Sequence, residues 1–237
     1  LPIYYNDKIR MILETEMVDY VGFADLSGYS DDLARFGGKI VTGFRNGISI
    51  GIRLPDTIVD LLPDRVDPNV ACEYKTHAYG IINQRLDIAA SKVASFLNRE
   101  KHRTLPISSA ERTDPENAIP TVSHKMIAHI AGLGWIGKSC LLVTPEDGPR
   151  VRFITVLTDA PLEARNEPMP QRCGDCRTCV DICPVGAIRG RNYQAGEPRE
   201  ERLDFRKCQE YFDSQKISMK WDVCGLCLYA CPHGRTG

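Results

Sequence analysis

Ten cysteines, eight of them gathered between residues 173 and 231, constrain this chain more than any other feature of its sequence. Disulfide frameworks are typical of small secreted domains, whereas close cysteine runs in an intracellular chain indicate metal sites. The sequence therefore predicts that eight thiols hold metal: Cys173, Cys176, Cys179, Cys183, Cys208, Cys224, Cys227 and Cys231. Cys72 and Cys140 lie outside these runs and are predicted to be ordinary buried thiols.

The spacing of the eight cysteines indicates the kind of metal site. The first run, Cys173 to Pro184, reads C-x2-C-x2-C-x3-C-P, as in bacterial two-cluster ferredoxins. The second run, Cys224 to Pro232, also ends in x3-C-P and follows an isolated Cys208. The crossed ligand pattern of those ferredoxins predicts two 4Fe–4S clusters, one on Cys173, Cys176, Cys179 and Cys231 and the other on Cys183, Cys208, Cys224 and Cys227. Structural zinc is the alternative, because zinc favours paired C-x2-C knuckles.

The remainder of the sequence predicts an α+β fold. A segment of proline and charge at 161–170 indicates a linker, which gives two domains, 1–165 and 166–237. Apolar residues at helical spacing predict a helix over 79–99. A second, short helix is predicted at 124–130, and two strands joined by a turn are predicted at 140–144 and 151–158. Residues 103–121 contain three prolines and are predicted to form a loop or an extended connection.

Charge and hydropathy bear on the partners. Lys and Arg number 30 against 31 Asp and Glu, and this balance predicts no nucleic-acid or anionic-membrane partner. No stretch approaches the roughly 18 apolar residues that a membrane helix needs, and no signal segment is evident. The sequence therefore predicts a cytoplasmic protein. The predicted clusters imply a further partner, an external low-potential electron donor.

A glycine turn at Gly132–Ser139 matches both the P-loop and the dinucleotide-binding patterns. Both of those sites need a strand before the loop and a helix after it, and the predicted order here is the reverse. Trp135 and Ile136 also put bulk where a phosphate would need close backbone approach. Three interpretations stay open: a nucleotide site, a plain tight turn, or a surface for a large flat cofactor.

These motifs together resemble the epoxyqueuosine reductases. The resemblance rests on the glycine turn with Ala131 before it, on Val156–Asp159, on the two cysteine runs and on Asp204–Cys208. It is firm over residues 122–233 and weaker over the N-terminal part, where Val21–Asp25 matches. That family reduces a modified tRNA base with cobalamin and two 4Fe–4S clusters, and its redox core is similar to that of reductive dehalogenases.

The resemblance implies a nitroreductase-like α/β module that holds cobalamin or another corrinoid, followed by a ferredoxin-like module. It implies a corrinoid without a protein imidazole on cobalt, and the sequence has no D-x-H-x-x-G motif. If a corrinoid binds, the resemblance points to Gly132, Gly134, Trp135 and Lys138 as its cradle.

Two departures from the family pattern shape the functional expectation. Ala118 stands where the family has an aspartate that donates a proton, and the chain ends six residues after Cys231, without the extension that the family associates with tRNA. The early end, together with the balanced charge, argues against epoxyqueuosine as the substrate. The expected function is that of an oxidoreductase, which passes low-potential electrons through the two clusters to a bound corrinoid for the reduction of an unidentified small molecule. Ala118 motivates the alternative, an electron-transfer or reductive-activation protein that serves a separate enzyme and has no substrate of its own.

Overall fold

The computed structural model describes residues 2–114, 116–164 and 166–235. The chain forms two compact units, and each is assembled from three stretches of sequence. Unit 1 consists of Leu1–Ile52, Asn83–Leu133 and Arg152–Met169, and unit 2 of Arg53–Ile82, Gly134–Val151 and Pro170–Gly237. The boundary between residues 165 and 166 therefore stays a prediction, because the two units interleave along the chain instead of following one another.

Unit 1 contains a four-stranded sheet in the order β1-β2-β6-β3. Its strands are β1 (Tyr20–Asp25), β2 (Asn46–Arg53), β3 (Thr104–Ile107) and β6 (Val151–Thr158). β1 is antiparallel to β2, with Phe23 opposite Ile48, and β3 is antiparallel to β6. The helices of this unit are α1 (Pro2–Thr15), α2 (Ser30–Gly37), α5 (Ile82–Arg99) and α6 (His124–Ile130).

The core of unit 1 forms where α6 meets the sheet. Ser123 caps α6 by accepting a hydrogen bond from the Met126 amide, so the helix begins where its first free amide finds a partner. Ile127 of α6 is fully buried, and a Cβ on Gly47 of β2 would lie 2.9 Å from its Cγ2. The glycine thus lets the helix approach the strand closely, which a larger residue would prevent.

Unit 2 combines a small sheet with five short helices. β4 (Trp135–Ile136) and β5 (Leu142–Val143) pair antiparallel, with Trp135 opposite Val143. The helices are α3 (Asp56–Asp60), α4 (Pro68–Tyr74), α7 (Thr178–Asp181), α8 (Phe205–Met219) and α9 (Leu226–Tyr229). α9 packs against α7 and α3. The cysteine runs therefore fold together with segments that come from much earlier in the chain.

Two features tie the turn at Thr144–Gly148 to the rest of unit 2. Arg150, which is 2% exposed, bonds Asp56 at 2.8 Å and Asp60 at 2.7 Å. Gly148, at φ +56°, lies directly against the backbone of His233: an added Cβ would be 2.5 Å from the His233 carbonyl carbon and closer still to its oxygen. Only a residue without a side chain fits this contact.

Several sequence-based expectations are confirmed, and one is wrong. The mixed helix and sheet fold, the helix at His124–Ile130 and the strand at Val151–Thr158 are all present. The predicted loop or extended connection over 103–121 begins with strand β3, which tolerates Pro106 because it is the last strand of its sheet. The strands on either side of the 145–149 turn do not pair with each other, since β5 pairs with β4 instead.

In the part of the chain that the structure describes, no helix is both long and apolar enough to cross a membrane. The compartment of the protein stays a prediction.

Candidate iron–sulfur centres

Four cysteines of unit 2 line a single cavity. They are Cys173, Cys176, Cys179 and Cys231, and the same cavity is lined by Gly137, Lys138 and His233. Cys173 and Cys176 are held in one turn, in which the Cys176 amide donates to the Cys173 carbonyl at 2.9 Å. Cys179 lies in α7, and Cys231 follows α9. The structure thus brings together the four thiols that the crossed pattern assigns to one cluster.

The thiols of this first group, which we call quartet 1, interact electrostatically. Burial, and after it the charges of Cys173 and Cys176, raises the pKa of Cys179 to about 11. Burial likewise raises the pKa of Cys231 to about 11, with added repulsion from the other three thiols. Cys176 is the exception, because hydrogen bonding to Thr178, 3.3 Å from its Sγ, lowers its pKa. Buried thiols that repel one another become thiolates once a metal site compensates their charge.

The other four cysteines form a second group, quartet 2. Burial, and then the charges of Cys224 and Cys183, raises the pKa of Cys208 to about 11. Burial also raises the pKa values of Cys224 and Cys227. The neighbours that act on Cys227 are chiefly Cys224 and Cys208, with Cys179 and Cys183 after them. The assignment of Cys183, Cys208, Cys224 and Cys227 to one cluster stays a prediction of the crossed pattern, because Cys179 of quartet 1 also acts on Cys227.

The arrangement of the thiols bears on the zinc alternative. Among the described residues, no three His, Cys, Asp or Glu side chains are placed to hold a single metal ion. A tetrahedral zinc needs its sulfurs about 2.3 Å from one centre, whereas a cubane lies between its four thiolates and keeps them farther apart. The geometry therefore gives no support to zinc.

The glycine turn is packed against its own chain. Gly132 belongs to unit 1, where an added Cβ would lie 3.0 Å from the Glu167 carbonyl oxygen. Gly134 is the first residue of the turn that belongs to unit 2. A Cβ added to it would lie 2.9 Å from the Val143 carbonyl carbon and closer still to the carbonyl oxygen. Trp135 is fully buried, with its ring edge-to-face on His233 at 4.8 Å. A corrinoid cradle at these residues stays a prediction, since the contacts that the structure shows are internal.

Lys138 points into unit 2 and not into solvent. It is 6% exposed, and its Nζ donates to the carbonyl oxygens of Gly174 at 2.7 Å and Cys176 at 3.0 Å. A P-loop lysine must instead be available to phosphate. The sequence pattern alone could not reveal this, because it contains no information on which carbonyls fold against the turn.

Ala118 and the acid near it lie in one loop of unit 1. Ala118 has a φ of +49°. Asp114 accepts hydrogen bonds from the Asn117 amide at 3.1 Å and its Nδ2 at 2.7 Å, and these bonds lower the pKa of Asp114. A carboxyl group stabilised as the anion is a weak proton donor near neutral pH. Asp114 therefore shows the properties of a loop-stabilising residue.

His124 is held between two polar groups of unit 1. Its Nδ1 lies 3.0 Å from Thr155 Oγ1 and its Nε2 lies 3.1 Å from the Ser108 carbonyl oxygen. Burial is the main cause that lowers the pKa of His124 to about 4. The neutral ring can satisfy both partners at once, by donating from Nε2 to the carbonyl and accepting at Nδ1 from the hydroxyl. Cys140 is also buried, as expected, whereas Cys72 is only half-buried.

Comparison with known proteins identifies the cysteine-rich segment first. Residues 172–234 match the family described as a 4Fe-4S double cluster binding domain. The chain therefore carries the two 4Fe–4S clusters that its cysteine spacing predicts.

Curated relatives extend the match beyond the cysteines. An epoxyqueuosine reductase from Bacillus anthracis is 32% identical in an alignment of 126 residues, which covers 48% of this chain and 30% of the relative. One from Gloeobacter violaceus is 37% identical over 123 residues, covering 47% and 35%. The chain resembles the epoxyqueuosine reductases. The matched region spans about a third of the length of these two relatives, so their activity does not pass to this chain by resemblance alone.

Solved structures show that the epoxyqueuosine reductase-like fold extends over the whole chain. An epoxyqueuosine reductase in complex with an epoxyqueuosine-modified stem loop of tRNA-Tyr is 17% identical, with a TM-score of 0.66, covering 100% of this chain and 67% of that one. A catabolic reductive dehalogenase is 20% identical, with a TM-score of 0.70, covering 96% and 31%. Another structure of the latter type is described in terms of B12-dependent dehalogenation. At these identities the likeness is one of fold.

One expectation about partners is corrected by these comparisons. The balanced charge predicted no nucleic-acid partner, and that prediction is wrong, since the relatives are epoxyqueuosine reductases and one protein of the same fold is bound to a tRNA stem loop. The net charge of a whole chain sums over all its surfaces, whereas one flipped or splayed base can be read by local hydrogen bonds and stacking. The relatives likewise give no support to the expectation that epoxyqueuosine is not the substrate.

Proposed function

We propose that this protein is an iron–sulfur oxidoreductase of the epoxyqueuosine reductase type. An external low-potential donor reduces the two clusters, and the electrons pass to a substrate that carries a reducible group. The substrate class that its relatives favour is an epoxide on a modified tRNA base. The observation that carries the proposal is the match of residues 172–234 to a 4Fe-4S double cluster binding domain, within a chain that resembles these enzymes beyond its cysteines.

The proposed ligand assignment gives each cluster one quartet. Quartet 1 binds one cluster through Cys173, Cys176, Cys179 and Cys231, and quartet 2 binds the other through Cys183, Cys208, Cys224 and Cys227. When bound, each cluster supplies one-electron transfer. The protein contributes the placement of these thiols, all eight of which are half-buried.

Reduction of an epoxide to an alkene requires two electrons and two protons, and the oxygen leaves as water. The two clusters together can hold two electrons. Asp114 is not proposed as the proton donor, because its hydrogen bonds to Asn117 favour the carboxylate. Ala118 carries no proton. Water or the tRNA itself is therefore the proton source that we propose for this chain.

A corrinoid remains a finer proposal, as does a nitroreductase-like character of unit 1. The fold of a B12-dependent dehalogenase supports the corrinoid. The predicted cradle does not, since Trp135 is buried, Lys138 Nζ is bonded to two carbonyl oxygens, and the space beside Gly134 is filled by Val143. We therefore route no step through a corrinoid. Retention of cobalamin on gel filtration after anaerobic reconstitution tests it directly.

The test of function is a reduction assay with the whole chain. The protein is reconstituted anaerobically with iron and sulfide, reduced with dithionite-reduced methyl viologen, and offered an epoxyqueuosine-modified stem loop, with and without cobalamin. We expect the modified base to lose the mass of one oxygen atom. The matched control is the C208S variant, which removes one ligand of quartet 2. Complete metallation without any loss of oxygen would contradict the proposal.

A second function is favoured by the absence of an acid at Ala118. Because residue 118 cannot donate a proton, a role as an electron carrier or reductive activator for a separate enzyme is the second candidate. The discriminating result is a reduced protein that leaves the stem loop unchanged and yet returns its electrons to a protein partner. A one-electron acceptor such as a cytochrome reports this transfer as absorbance change.

A further inference from the structure

The lysine of the glycine turn matches a phosphate-binding motif, yet the structure gives it a different environment. Its Nζ bridges the carbonyl oxygens of Gly174 and Cys176, which belong to the loop that carries three thiols of quartet 1. Residue 137 of the turn also lies beside this loop, since a Cβ added to Gly137 would be in ordinary van der Waals contact with Cys173 Sγ at 3.7 Å. Lys138 therefore holds the ligand loop and places a positive charge beside it.

The charge of Lys138 acts on quartet 1. Its Nζ lies 3.0 Å from the carbonyl oxygen of Cys176, which is itself a ligand of quartet 1, so the charge is held at the edge of this site. Because the side chain is 6% exposed, little water screens this charge.

Quartet 2 has a cation of its own. Arg65 ends the turn Leu62–Asp64, which packs against α9, the helix that carries Cys227. Its guanidinium donates from Nη2 to the hydroxyl of Tyr211 at 2.7 Å, and Tyr211 lies in α8, the helix that also carries Cys208. Arg65 is half-buried, so its charge is screened more strongly than that of Lys138.

We propose that Lys138 and Arg65 are positioning residues that each serve one cluster, Lys138 holding and charging the quartet 1 site and Arg65 the quartet 2 site, so that the two reduction potentials are set separately. The inference rests on the cluster assignment of the proposed function, but not on its substrate. A cluster gains one negative charge when it takes up an electron from the reductant. A fixed cation beside it stabilises this reduced state and so raises its reduction potential.

The experiment is a potentiometric titration of the whole reconstituted chain with dithionite, followed by EPR. Four proteins are compared: the wild type, K138Q, K138R and R65Q. Glutamine keeps a donor for the carbonyls but removes the charge, whereas arginine keeps the charge. At the wild-type midpoint, we expect the reduced-to-oxidised ratio of one cluster to fall roughly tenfold in K138Q, a shift of about 59 mV for a one-electron couple. We expect a smaller fall in K138R.

The reciprocal variant makes the assignment specific. R65Q should lower the potential of the other cluster by less than K138Q lowers the first, because Arg65 is better screened. Iron content accompanies each titration. Loss of only one cluster in K138Q, with about four irons left of about eight, would also support a local role, as the remaining cluster would keep its wild-type potential.

Three results would overturn the inference. One is K138Q with full iron and both potentials unchanged; another is an equal shift of both clusters. The third is loss of all iron from K138Q and K138R alike, which would show a general packing role. None of these outcomes depends on the substrate. A wild-type chain that holds two clusters but fails to reduce epoxyqueuosine would contradict the proposed activity, while the effect of Lys138 and Arg65 on the two reduction potentials could still be measured.

Discussion

Replacement of Gly148 by alanine tests how firmly the turn at Thr144–Gly148 is bound to the segment that follows Cys231. Gly148 closes this turn, with the Thr144 amide donating to its carbonyl at 2.8 Å. An alanine there must adopt a φ of +56° and place its Cβ 2.5 Å from the carbonyl carbon of His233. No side-chain rotation can relieve that overlap, because the position of a Cβ is fixed by its own backbone and the atom that it meets is a backbone carbon.

The cost has two parts, and a matched variant separates them. Gly186 has nearly the same φ, +58°, with nothing within 4 Å of an added Cβ. G186A therefore incurs only the left-handed strain, about 1–2 kcal/mol. G148A adds overpacking of about 1–3 kcal/mol. For a chain of this size the difference between the variants corresponds to about 2–12 °C in apparent Tm.

The assay is thermal unfolding of the reconstituted protein under nitrogen, followed by circular dichroism, together with the rate at which iron is released to a chelator. We expect G148A to have a lower apparent Tm than G186A and to release iron faster, because the displaced segment includes the residue two positions after Cys231. Equal Tm values for G148A and G186A would refute the packing of the turn against His233.

Other expectations follow from the same contacts. R150L should lower the free energy of unfolding by about 2–3 kcal/mol, since it removes a buried cation from two carboxylates. D60N should lower it by less than about 1 kcal/mol, because the Asp60 side chain is 53% exposed. Urea unfolding measures both changes. The buried neutral ring of His124 has a pKa of about 4, below its usual 6.5, so the unfolded chain takes up a proton first as the pH falls. The free energy of unfolding should therefore decrease as pH drops from about 6.5 towards 4. H124Q should be less stable at pH 7 but should show a flatter dependence of stability on pH between 7 and 5, and a slope equal to that of the wild type would contradict this. C231S should hold about four irons instead of about eight, while C72S, outside both quartets, should keep all of them.

The sequence predicted what depends on spacing along the chain. The x2 and x3 intervals between cysteines identify a cubane-binding loop because the loop geometry is local. The helix at His124–Ile130 was likewise predictable, since its cap at Ser123 and its apolar positions lie within one short segment. The crossed pattern also predicted that Cys173, Cys176, Cys179 and Cys231 line one cavity, because in that pattern the last cysteine of the second run joins the first three cysteines of the first run.

What could not be predicted depends on partners that are distant in sequence. Lys138 matches a phosphate-binding pattern, and only the fold shows that the carbonyl oxygens of Gly174 and Cys176 receive its hydrogen bonds. The pairing of Trp135 with Val143 was missed because two-residue strands carry no periodic signal. Arg65 was not singled out, since nothing near it in the sequence indicates a thiol. A cation beside a predicted cysteine site becomes visible only after folding.

The interleaving of unit 2 has a consequence for how the protein is made. Each quartet combines thiols from the first cysteine run with at least one from residues 224–231, and the lysine that holds the first loop was synthesised much earlier. During translation, neither set of four thiols is complete until residues 224–231 have left the ribosome. A protein that delivered a cluster to the first run before then would find only three of the four thiols of quartet 1. Cluster insertion should therefore follow synthesis, and a pause before residue 224 would leave both centres vulnerable to oxygen at the same time.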